Sequence, residues 1–315
     1  MIDLFGRQFS RDEIDALCPD ITRLAGIRQF REDNGPGSGQ RVIRIESGGG
    51  LGIELLPDRT CDIGQVWCNG TPFGWIGPIG TPDPSRLRGN QPLSGLMSTC
   101  GFDHIRQPEE EGGTQFPQHG SMMHQASTIV AAGPVWEEEN CVFRVVAECT
   151  QFALDRGGMR LCRTIDVPLG GQSLTLVDEV TVLIKPQPLM AMYHINLGYP
   201  LAEPESHLVL DGADLTGECL AQDGVLTRAA GNGRVTTSLS SPRTGAQFSV
   251  TFDADQLPVF QTLRNSTPGI NLVCLEPATH ERRTRAELRR DSALQPASVG
   301  AKKRFEIGMH FTPAS

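Results

Sequence analysis

A glutamate at the end of a short apolar run is the residue of this sequence best suited to acid–base chemistry. Glu276 follows the apolar run 270–275 and precedes Pro277. A run this short, rich in branched residues and bounded by proline and glycine, predicts a buried strand. Because side chains alternate along a strand, Glu276 points to the same face as Leu272 and Cys274. A carboxylate among apolar side chains must be hydrogen-bonded, paired or tuned for function, because burying it alone is costly.

A histidine in a second apolar segment is the next candidate for acid–base work. His194 lies in segment 189–200, which we predict to be a strand. One face of that strand then carries Met190, Met192, His194 and Asn196. Two polar groups beside methionines suit the floor of a pocket, although a histidine that is simply hydrogen-bonded in a strand fits equally well. An imidazole titrates near neutral pH and is the commonest acid–base group in enzymes.

Three further histidines fall in or near an irregular, glycine-rich stretch of the chain. His119 precedes a glycine, His124 follows five residues later, and His104 lies upstream. Together with Glu276 they could be imagined as a metal site. No pair has the short helical spacing that makes zinc motifs specific, so we expect no metal.

An arginine and a tryptophan are candidates for contacts with a ligand. Arg59 directly follows a predicted strand, where it could pair with Asp58 or Asp62 at the surface. Placed over a pocket, its guanidinium could instead donate hydrogen bonds to sugar hydroxyls or to a carboxylate. Trp75 could stack on a sugar face or pack in the core or at its rim. The sequence alone leaves both alternatives open for both residues.

The charge of the chain argues against a nucleic-acid partner. The 315 residues carry a formal net charge of -9 and contain no basic block. Phosphate contacts need clustered lysine and arginine. The arginine-rich stretch 282–290 is interleaved with acidic residues, so we predict a solvated surface segment there.

The apolar runs and the cysteines indicate a cytoplasmic protein. The N-terminus has no apolar signal core, and no run reaches the roughly 18 apolar residues that a membrane span needs. Nine cysteines are scattered at irregular spacing without a Cys-x-x-Cys pair. This pattern favours reduced thiols over disulfides or a zinc site.

The distribution of helix and strand signals along the chain predicts an all-β protein. Ser10 and Glu13 form a capping box for a helix that runs to about Cys18, within an N-terminal lead-in of residues 1–40. Strands then follow strands without helical periods, which favours antiparallel sheets stacked as a sandwich in one domain over residues 1–315. Residues 76–125 are irregular and are predicted to form functional loops. The clearest predicted strands are 42–45, 52–56, 141–146, 160–165 and 174–182.

Several short segments, in this order and spacing, resemble the aldose 1-epimerase (galactose mutarotase-like) superfamily, and most closely a less characterised bacterial branch of it. The resemblance covers residues 41 to about 311. It implies a β-supersandwich of two large twisted antiparallel sheets, with a sugar site in a concave face and no cofactor. The segments that carry it are 57–64, 95–102, 118–120, 193–198 and 274–277.

The resemblance also implies roles for individual residues. Glu276 matches the general base of the family, His194 the general acid and His119 a substrate-positioning histidine. Arg59 matches a site arginine. This branch tends to carry arginine after the His-Gly pair, whereas this chain has Ser121 there, so its substrate need not be the usual one. Further substrate-binding candidates are His124, Asn196, Asp103 and Trp75.

Three functions remain open at this point. The first is a mutarotase that interconverts the anomers of a free sugar or sugar acid. The second is a lyase or isomerase that uses the same Glu/His pair to abstract a C–H proton from an oxidised or keto-sugar. The third is a carbohydrate-binding protein without turnover. In each case the partner is a small sugar rather than a nucleic acid or a membrane, and the exposed edges of sandwiches favour a homodimer.

Overall fold

The computed structural model describes residues 1–83 and 93–315. Within these residues the helices are α1 (Arg11–Leu17), α2 (Thr216–Cys219) and α3 (Arg285–Arg290), with 3-10 turns at Ile21–Arg23, Gly35–Gly37 and Met122–His124. The strands are β1 (Ile2–Leu4), β2 (Arg7–Phe9), β3 (Gly26–Arg31), β4 (Arg41–Glu46), β5 (Leu51–Leu56), β6 (Asp62–Cys68), β7 (Thr71–Phe73), β8 (Met97–Phe102), β9 (Glu109–Glu111), β10 (Thr114–Phe116), β11 (Thr128–Glu137), β12 (Asn140–Ala153), β13 (Gly157–Pro168), β14 (Ser173–Leu183), β15 (Gln187–Pro188), β16 (Met190–Leu197), β17 (His207–Leu210), β18 (Ala213–Asp214), β19 (Gly224–Ala229), β20 (Arg234–Ser240), β21 (Gln247–Asp253), β22 (Val259–Asn265), β23 (Leu272–Ala278), β24 (Pro296–Ala297) and β25 (Lys302–Thr312).

Two large antiparallel sheets contain most of the strand residues of the described chain. The first sheet has the strand order β19-β22-β23-β16-β8-β6-β5-β4-β3, with β7 paired to β6. The second sheet has the order β11-β12-β13-β14-β25-β21-β20-β17-β18. The predicted all-β architecture of large antiparallel sheets is therefore confirmed.

The strand predictions agree best with the structure for strands that expose one face to solvent. Along β12, β13 and β14 buried side chains alternate with more exposed ones, as expected when one face packs on the core. Strands β8, β16 and β23, at the centre of the first sheet, are buried on both faces. Because β8 shows no alternation, the prediction of irregular structure across residues 76–125 was wrong there. Residues 84–92 of that stretch lie outside the described residues.

A buried polar network joins the two sheets. Arg163 of the second sheet donates from Nε and Nη2 to the Asp178 carboxylate, each at 2.8 Å. Its Nη1 donates to Asp62 Oδ1 of the first sheet at 3.0 Å, and its Nη2 donates to Thr99 Oγ1 at 2.7 Å. Tyr193 Oη donates to Asp178 Oδ2 at 2.7 Å. Buried charges need such complete pairing, so this network fixes how the sheets face each other.

The orientation of β16 places its polar residues on the outer face of the first sheet. Tyr193 reaches the network between the sheets, so its neighbour His194 points away from the second sheet. The outer face has its own small apolar cluster, which includes Met192, Ala278 and Leu288 of α3. Any site built on His194 therefore lies on this outer face.

Helices α1 and α3 are short, and each begins with a capping box. Ser10 and Glu13 form the predicted capping box of α1. A second capping box, Thr284 with Glu287, begins α3. The prediction of a solvated segment across residues 282–290 was wrong for Arg285, which is buried and donates to the Glu111 carboxylate at 2.9 Å. No helix among the described residues is long and apolar enough to cross a membrane.

Candidate active site

The structure brings His194 and Glu276 together on adjacent strands. The register pairs Met192 with Ala278 and Ile195 with Leu275, which places His194 opposite Glu276. His194 Nε2 lies 3.5 Å from Glu276 Oε1. The two side chains are nearly closed off from solvent, with residue exposures of 3% and 0%. An imidazole and a carboxylate at this separation can exchange a proton with each other or with a group that contacts both of them from one side.

Asn196 determines which nitrogen of His194 carries a proton. The Asn196 amide donates from Nδ2 to the carbonyls of Leu93 at 2.6 Å and Gly95 at 3.2 Å. Its Oδ1 therefore faces His194 Nδ1, 2.6 Å away, as an acceptor. Because Oδ1 can only accept, Nδ1 must carry hydrogen, and Nε2 is left to exchange the proton on the side of Glu276. The expectation that these two polar residues share one pocket face agrees with this geometry.

Gln261 holds the other end of the carboxylate. It lies on β22 in register with Glu276, and its Nε2 donates to Glu276 Oε2. Glu276 Oε1 has no hydrogen-bond partner among the described residues. One carboxylate oxygen is thus held in place, while the other is left for chemistry on the side of His194.

Arg106 is a member of the site that the sequence did not indicate. Its Nε donates to Gln261 Oε1 at 2.8 Å and its Nη1 to the Glu281 carbonyl at 2.9 Å. Burial lowers the pKa of Arg106 to about 10, and the negative charge of Glu276 opposes that shift. The guanidinium is therefore a cation at neutral pH, two hydrogen bonds away from the reactive carboxylate.

His119 lies next to His194, and its predicted role in positioning a substrate stays a prediction. The two rings lie 5.3 Å apart, centroid to centroid, in an edge-to-face arrangement. The His119 backbone adopts a left-handed conformation, with φ at 60°, and its N–H donates to the Arg106 carbonyl at 2.7 Å. Burial lowers the pKa of His119 well below its ordinary value, and positive charge on His194 adds to the effect. The ring is thus neutral, with a buried Nδ1 that has no partner among the described residues.

Asp103 supports the loop that carries His119. Its carboxylate accepts from Ser121 N at 2.9 Å and from Ser121 Oγ at 2.8 Å. Gly120, between His119 and Ser121, has a backbone φ of 77°, and a Cβ atom at this position would lie 2.4 Å from the carbonyl oxygen of His104. Glycine is therefore required at this turn. In this structure Asp103 positions the loop, and its predicted contact with substrate stays a prediction.

Arg59 is buried completely, at 0% exposure, and contacts the strand next to the one that carries His194. Its Nη1 donates to the Ser94 carbonyl at 2.8 Å and its Nη2 to Ser98 Oγ at 3.3 Å. Ser98 is the residue opposite His194 on β8. The Nε atom of Arg59 lies 3.7 Å from Oδ2 of Asp62. This ion pair links the arginine to the buried polar network between the sheets. Arg59 thus supports the floor of the site, and its predicted role as a ligand contact stays a prediction.

Trp75 and His124 differ in where they lie relative to the Glu276–His194 pair. Trp75 is partly exposed, and its Nε1 donates to the Ile270 carbonyl at 2.6 Å. Its backbone N–H donates to the Asn196 carbonyl at 3.0 Å, so it borders the strand that carries His194. His124 is exposed at the end of the 3-10 turn Met122–His124, and within the described residues it makes no hydrogen bond or ion pair with Glu276 or His194.

The site contains one group of side chains of the types that bind metals. Ligand atoms of His194, Cys274 and Glu276 lie within 4.8 Å of one another, and no such group among the described residues includes His104 or His124. The Cys274 thiol faces Asn196 Oδ1 at 3.5 Å. Burial raises the pKa of Cys274 well above its ordinary value, and the charge of Glu276 raises it further. A metal ion bound here would have to displace the proton of this thiol, so the three side chains stay a possible ligand set and the expectation of no metal stays a prediction.

The architecture of the whole chain is that of the galactose mutarotase-like proteins. A candidate aldose 1-epimerase from Klebsiella pneumoniae superposes with a TM-score of 0.80 at 18% identity, covering 92% of this chain and 84% of the other. An aldose epimerase homologue from C. elegans gives 0.59 at 14% identity, covering 88% and 100%. Galactose 1-epimerase from Lactobacillus acidophilus gives 0.57 at 12% identity, covering 92% and 99%. At these identities the likeness establishes the fold, and the predicted superfamily fold is confirmed.

The sequence itself places the chain in one family. Residues 37–224, more than half of the chain, match the family described as "Domain of unknown function (DUF4432)", and the chain belongs to that family. A comparison with proteins of curated function finds no match.

Proposed function

We propose that this chain is an aldose 1-epimerase that interconverts the anomers of a sugar by acid–base catalysis. The observation that carries the proposal is the His194 Nε2 to Glu276 Oε1 separation of 3.5 Å, with Oε1 lacking any other partner among the described residues. The fold, which is shared with proteins named aldose or galactose 1-epimerase, supports the same reaction class.

The proposed reaction opens and recloses the sugar ring. Glu276 Oε1 takes the proton of the anomeric hydroxyl while His194 Nε2 donates its proton to the ring oxygen. The C1–O5 bond breaks, the C1 oxygen becomes an aldehyde, and the C1–C2 bond rotates. The reverse proton transfers close the ring on the other face and restore both residues. Each proton transfer contributes roughly 10²–10⁴-fold, which is ample for a reaction that already proceeds in water.

The side-chain amides of Asn196 and Gln261 are suited to both ring opening and ring closure. Asn196 accepts from His194 Nδ1 whether the ring is charged or neutral, so the ring keeps its orientation when Nε2 loses its proton. Gln261 keeps Glu276 Oε2 occupied, so Oε1 is the oxygen that accepts the sugar proton. His119, neutral and edge-on to His194, offers its free Nδ1 to a sugar hydroxyl.

Polarimetry of a freshly dissolved pure anomer tests the proposal. Enzyme should speed the approach to the equilibrium rotation, and the acceleration should be lost in His194→Ala. The matched control is His207→Ala, which removes an exposed histidine at the start of β17. If no sugar in a broad panel mutarotates faster with enzyme than without it, the proposal fails.

Arg106 favours one second candidate, proton abstraction from carbon in a keto-sugar. A cation near Glu276 could stabilise the enolate that forms when the carboxylate removes a C–H proton next to a carbonyl. Mutarotation exchanges no carbon-bound hydrogen, whereas this reaction does. Mass spectrometry after incubation in D₂O distinguishes them, because deuterium at carbon indicates the second reaction. Saturable sugar binding with neither result would instead indicate a carbohydrate-binding protein.

A further inference from the structure

A cavity of about 380 Å³ lies apart from the Glu276–His194 pair and includes neither residue in its lining. Its walls are formed by Asp103 and by four segments: the β9–β10 hairpin, the turn between β12 and β13, residues 185–188 and helix α3. Its volume is at the small end of the range of roughly 300–1,000 Å³ that pockets for small molecules have. The cavity therefore has room for a small ligand other than the sugar of the proposed reaction.

The side chains around this cavity carry an excess of positive charge. Two acidic residues line it, Asp103 and Glu111, against four basic ones, Arg156, Lys185, Arg285 and Arg289. The lining thus has a formal net charge of +2, four positive less two negative, whereas the whole chain has -9. A local charge opposite in sign to that of the molecule favours an anionic ligand.

Both acidic side chains of the lining already have partners. Glu111 Oε2 accepts from Arg285 Nε at 2.9 Å and from Arg289 Nη2 at 3.0 Å. The hydrogen bonds from Arg289 and Arg285 lower the pKa of Glu111 to about 2, although burial acts in the opposite direction. Asp103 accepts two hydrogen bonds from Ser121. One carboxylate is therefore shared by two guanidinium groups, which leaves cationic donors available to a ligand.

Arg285 has one unused donor group at the cavity. Its side chain is only 3% exposed. Nε donates to Glu111, and Nη1 donates to the Asp103 carbonyl at 2.9 Å and to Met190 Sδ at 3.3 Å. Nη2 has no hydrogen-bond partner among the described residues, yet it is not sealed from solvent. Since a missing partner is costly for a buried group, this donor suits an oxyanion.

Phe116 holds two of the guanidinium groups close together. The Cζ atom of Arg285 lies 3.8 Å from the ring centroid and that of Arg156 lies 5.2 Å from it, both within cation–π distance. Arg156 Nη1 also donates to the Gln115 carbonyl at 2.7 Å, which keeps its guanidinium near the ring. Two cations around one ring repel each other, and an anion that contacts both relieves that repulsion.

Lys185 and Arg156 form the more accessible side of the cavity. Lys185 is exposed, its Nζ donates to the Asp155 carbonyl, and it makes no ion pair within the described part of the chain. Its stem lies against the β12–β13 turn, since a Cβ at Gly157, where φ is 88°, would lie 2.9 Å from Lys185 Cγ. Arg156 has only long contacts with carboxylates, Nη1 at 3.8 Å from Asp103 Oδ2 and Nε at 3.9 Å from Asp155 Oδ1. A ligand that enters on this side can therefore reach both cations.

We propose that this cavity binds the phosphate monoester group of a small molecule. Arg285 Nη2, Arg156 and Lys185 donate to the phosphate oxygens from three separate segments of the chain. A phosphate monoester carries about -1.5 to -2 charges at pH 7, which complements the net +2 of the lining, and its three terminal oxygens can each accept from one of these segments. The carbon part of the ligand then lies against Phe116 and the two prolines of the lining. The site is independent of the proposed reaction.

Titration calorimetry with three ligands of the same carbon skeleton tests the proposal. Glycerol 3-phosphate carries the phosphate, glycerate carries a carboxylate instead, and glycerol carries no charge. We expect saturable binding of glycerol 3-phosphate, weaker binding of glycerate and no binding of glycerol. In the double variant Arg156→Gln/Lys185→Gln the Kd for glycerol 3-phosphate should rise about 10-fold or more, as expected for losing charge-assisted hydrogen bonds.

The Arg285 side chain reports where the phosphate binds. Its ¹⁵Nε–H NMR signal, identified by its absence in Arg285→Lys, should shift during the titration while the imidazole signals of His194 stay in place. Arg285→Lys keeps the charge but lacks the planar fork of donors, so it should also weaken binding, with circular dichroism to confirm the fold. The double variant changes only exposed or part-exposed side chains and decides the matter if Arg285→Lys does not fold.

The control is Arg234→Gln, which removes an exposed arginine at the start of β20, outside the cavity lining, and should leave the Kd unchanged. Absence of saturable glycerol 3-phosphate binding would overturn the proposal, and so would binding that the double variant leaves unchanged. Tighter binding of glycerate than of glycerol 3-phosphate would contradict the assignment to a phosphate. A titration that shifts the His194 signals but not that of Arg285 would place the phosphate at the Glu276–His194 pair and refute the separate site.

Discussion

His194 and Glu276 lie opposite each other on β16 and β23, and a carboxamide holds the far side of each. Asn196 accepts from His194 Nδ1, and Gln261 donates to Glu276 Oε2. The two remaining atoms, Nε2 and Oε1, face each other at 3.5 Å. Each amide thus leaves one reactive atom free and orients it toward the partner, which is the arrangement that coupled proton transfer to a sugar needs.

Replacing Asn196 by alanine should remove the hydrogen bond that keeps a proton on Nδ1 of His194. Without the Oδ1 acceptor, a proton can sit on either ring nitrogen of His194, so kcat for anomer exchange should fall about 10- to 100-fold, the range for losing a partner that orients a histidine. ¹⁵N NMR of the imidazole should show the Nδ1–H form in the original protein and a mixture in the variant. An unchanged tautomer together with an unchanged kcat would show that Asn196 does not position His194.

Arg163→Met should unfold the protein far more easily than an equivalent surface change. The substitution leaves Asp62 and Asp178 buried without their cation, and removing one partner from a buried ion network costs about 3–5 kcal/mol. Arg144→Met is the matched control, because Arg144 pairs with Asp166 in a part-exposed ion pair and should cost about 1 kcal/mol or less. Urea unfolding measures both, and similar losses in the two variants would contradict the importance of the network.

Acidification should destabilise the protein partly through His280. Burial lowers the pKa of His280 from 6.5 to about 4. Between these values the unfolded chain binds a proton that the folded chain does not. The free energy of unfolding is therefore complete above pH 6.5 and falls as the pH drops toward 4, by on the order of 1–3 kcal/mol.

Urea unfolding at pH 7 and pH 4.5 checks this prediction. His280→Gln should make the loss of stability between the two pH values smaller, whereas His310→Gln, at an exposed position on β25, should leave it unchanged. The buried His119 contributes in the same direction, so some pH dependence remains in His280→Gln. An identical loss in His280→Gln and in the original protein is the result that would contradict the prediction.

Cys274 should be dispensable for anomer exchange. Its buried thiol is neutral and lies next to the reactive pair without a step to perform. Cys274→Ala should keep most of the exchange rate, and dialysis against EDTA should not reduce it. Loss of the rate on chelation, restored by a divalent metal and absent in Cys274→Ala from the start, would instead indicate a metal centre built from His194, Cys274 and Glu276.

Glu276 and His194 could be selected as a candidate pair from the sequence because each residue interrupts an apolar segment. Glu276 ends one such run and His194 interrupts another, and burial of an ionisable side chain usually has a functional or structural reason. Their meeting depends on the pairing of β16 with β23, which hydrophobic pattern does not reveal. The resemblance to known epimerases supplied that link.

Arg106 and Gln261 were missed for a related reason. Gln261 becomes informative only through its register with Glu276 across β22 and β23. Arg106 belongs to an irregular stretch after β8 whose path no local signal predicts. Arg59 was named as a site arginine through the resemblance, since the sequence alone left its role open, and the structure buries it against Ser94 and Ser98. Contacts between distant segments, rather than residue types, decide these positions.

The most direct test of the account is the exchange rate between sugar anomers with Glu276→Gln, measured by NMR on the best substrate of the panel. The variant keeps the shape of the side chain but cannot take the anomeric proton. We expect the catalysed rate to fall by roughly 10²–10⁴-fold, with the fold intact by circular dichroism and Glu54→Gln, a carboxylate of β5, as an unaffected control. A Glu276→Gln protein that exchanges anomers as fast as the original would contradict the central role of the Glu276–His194 pair.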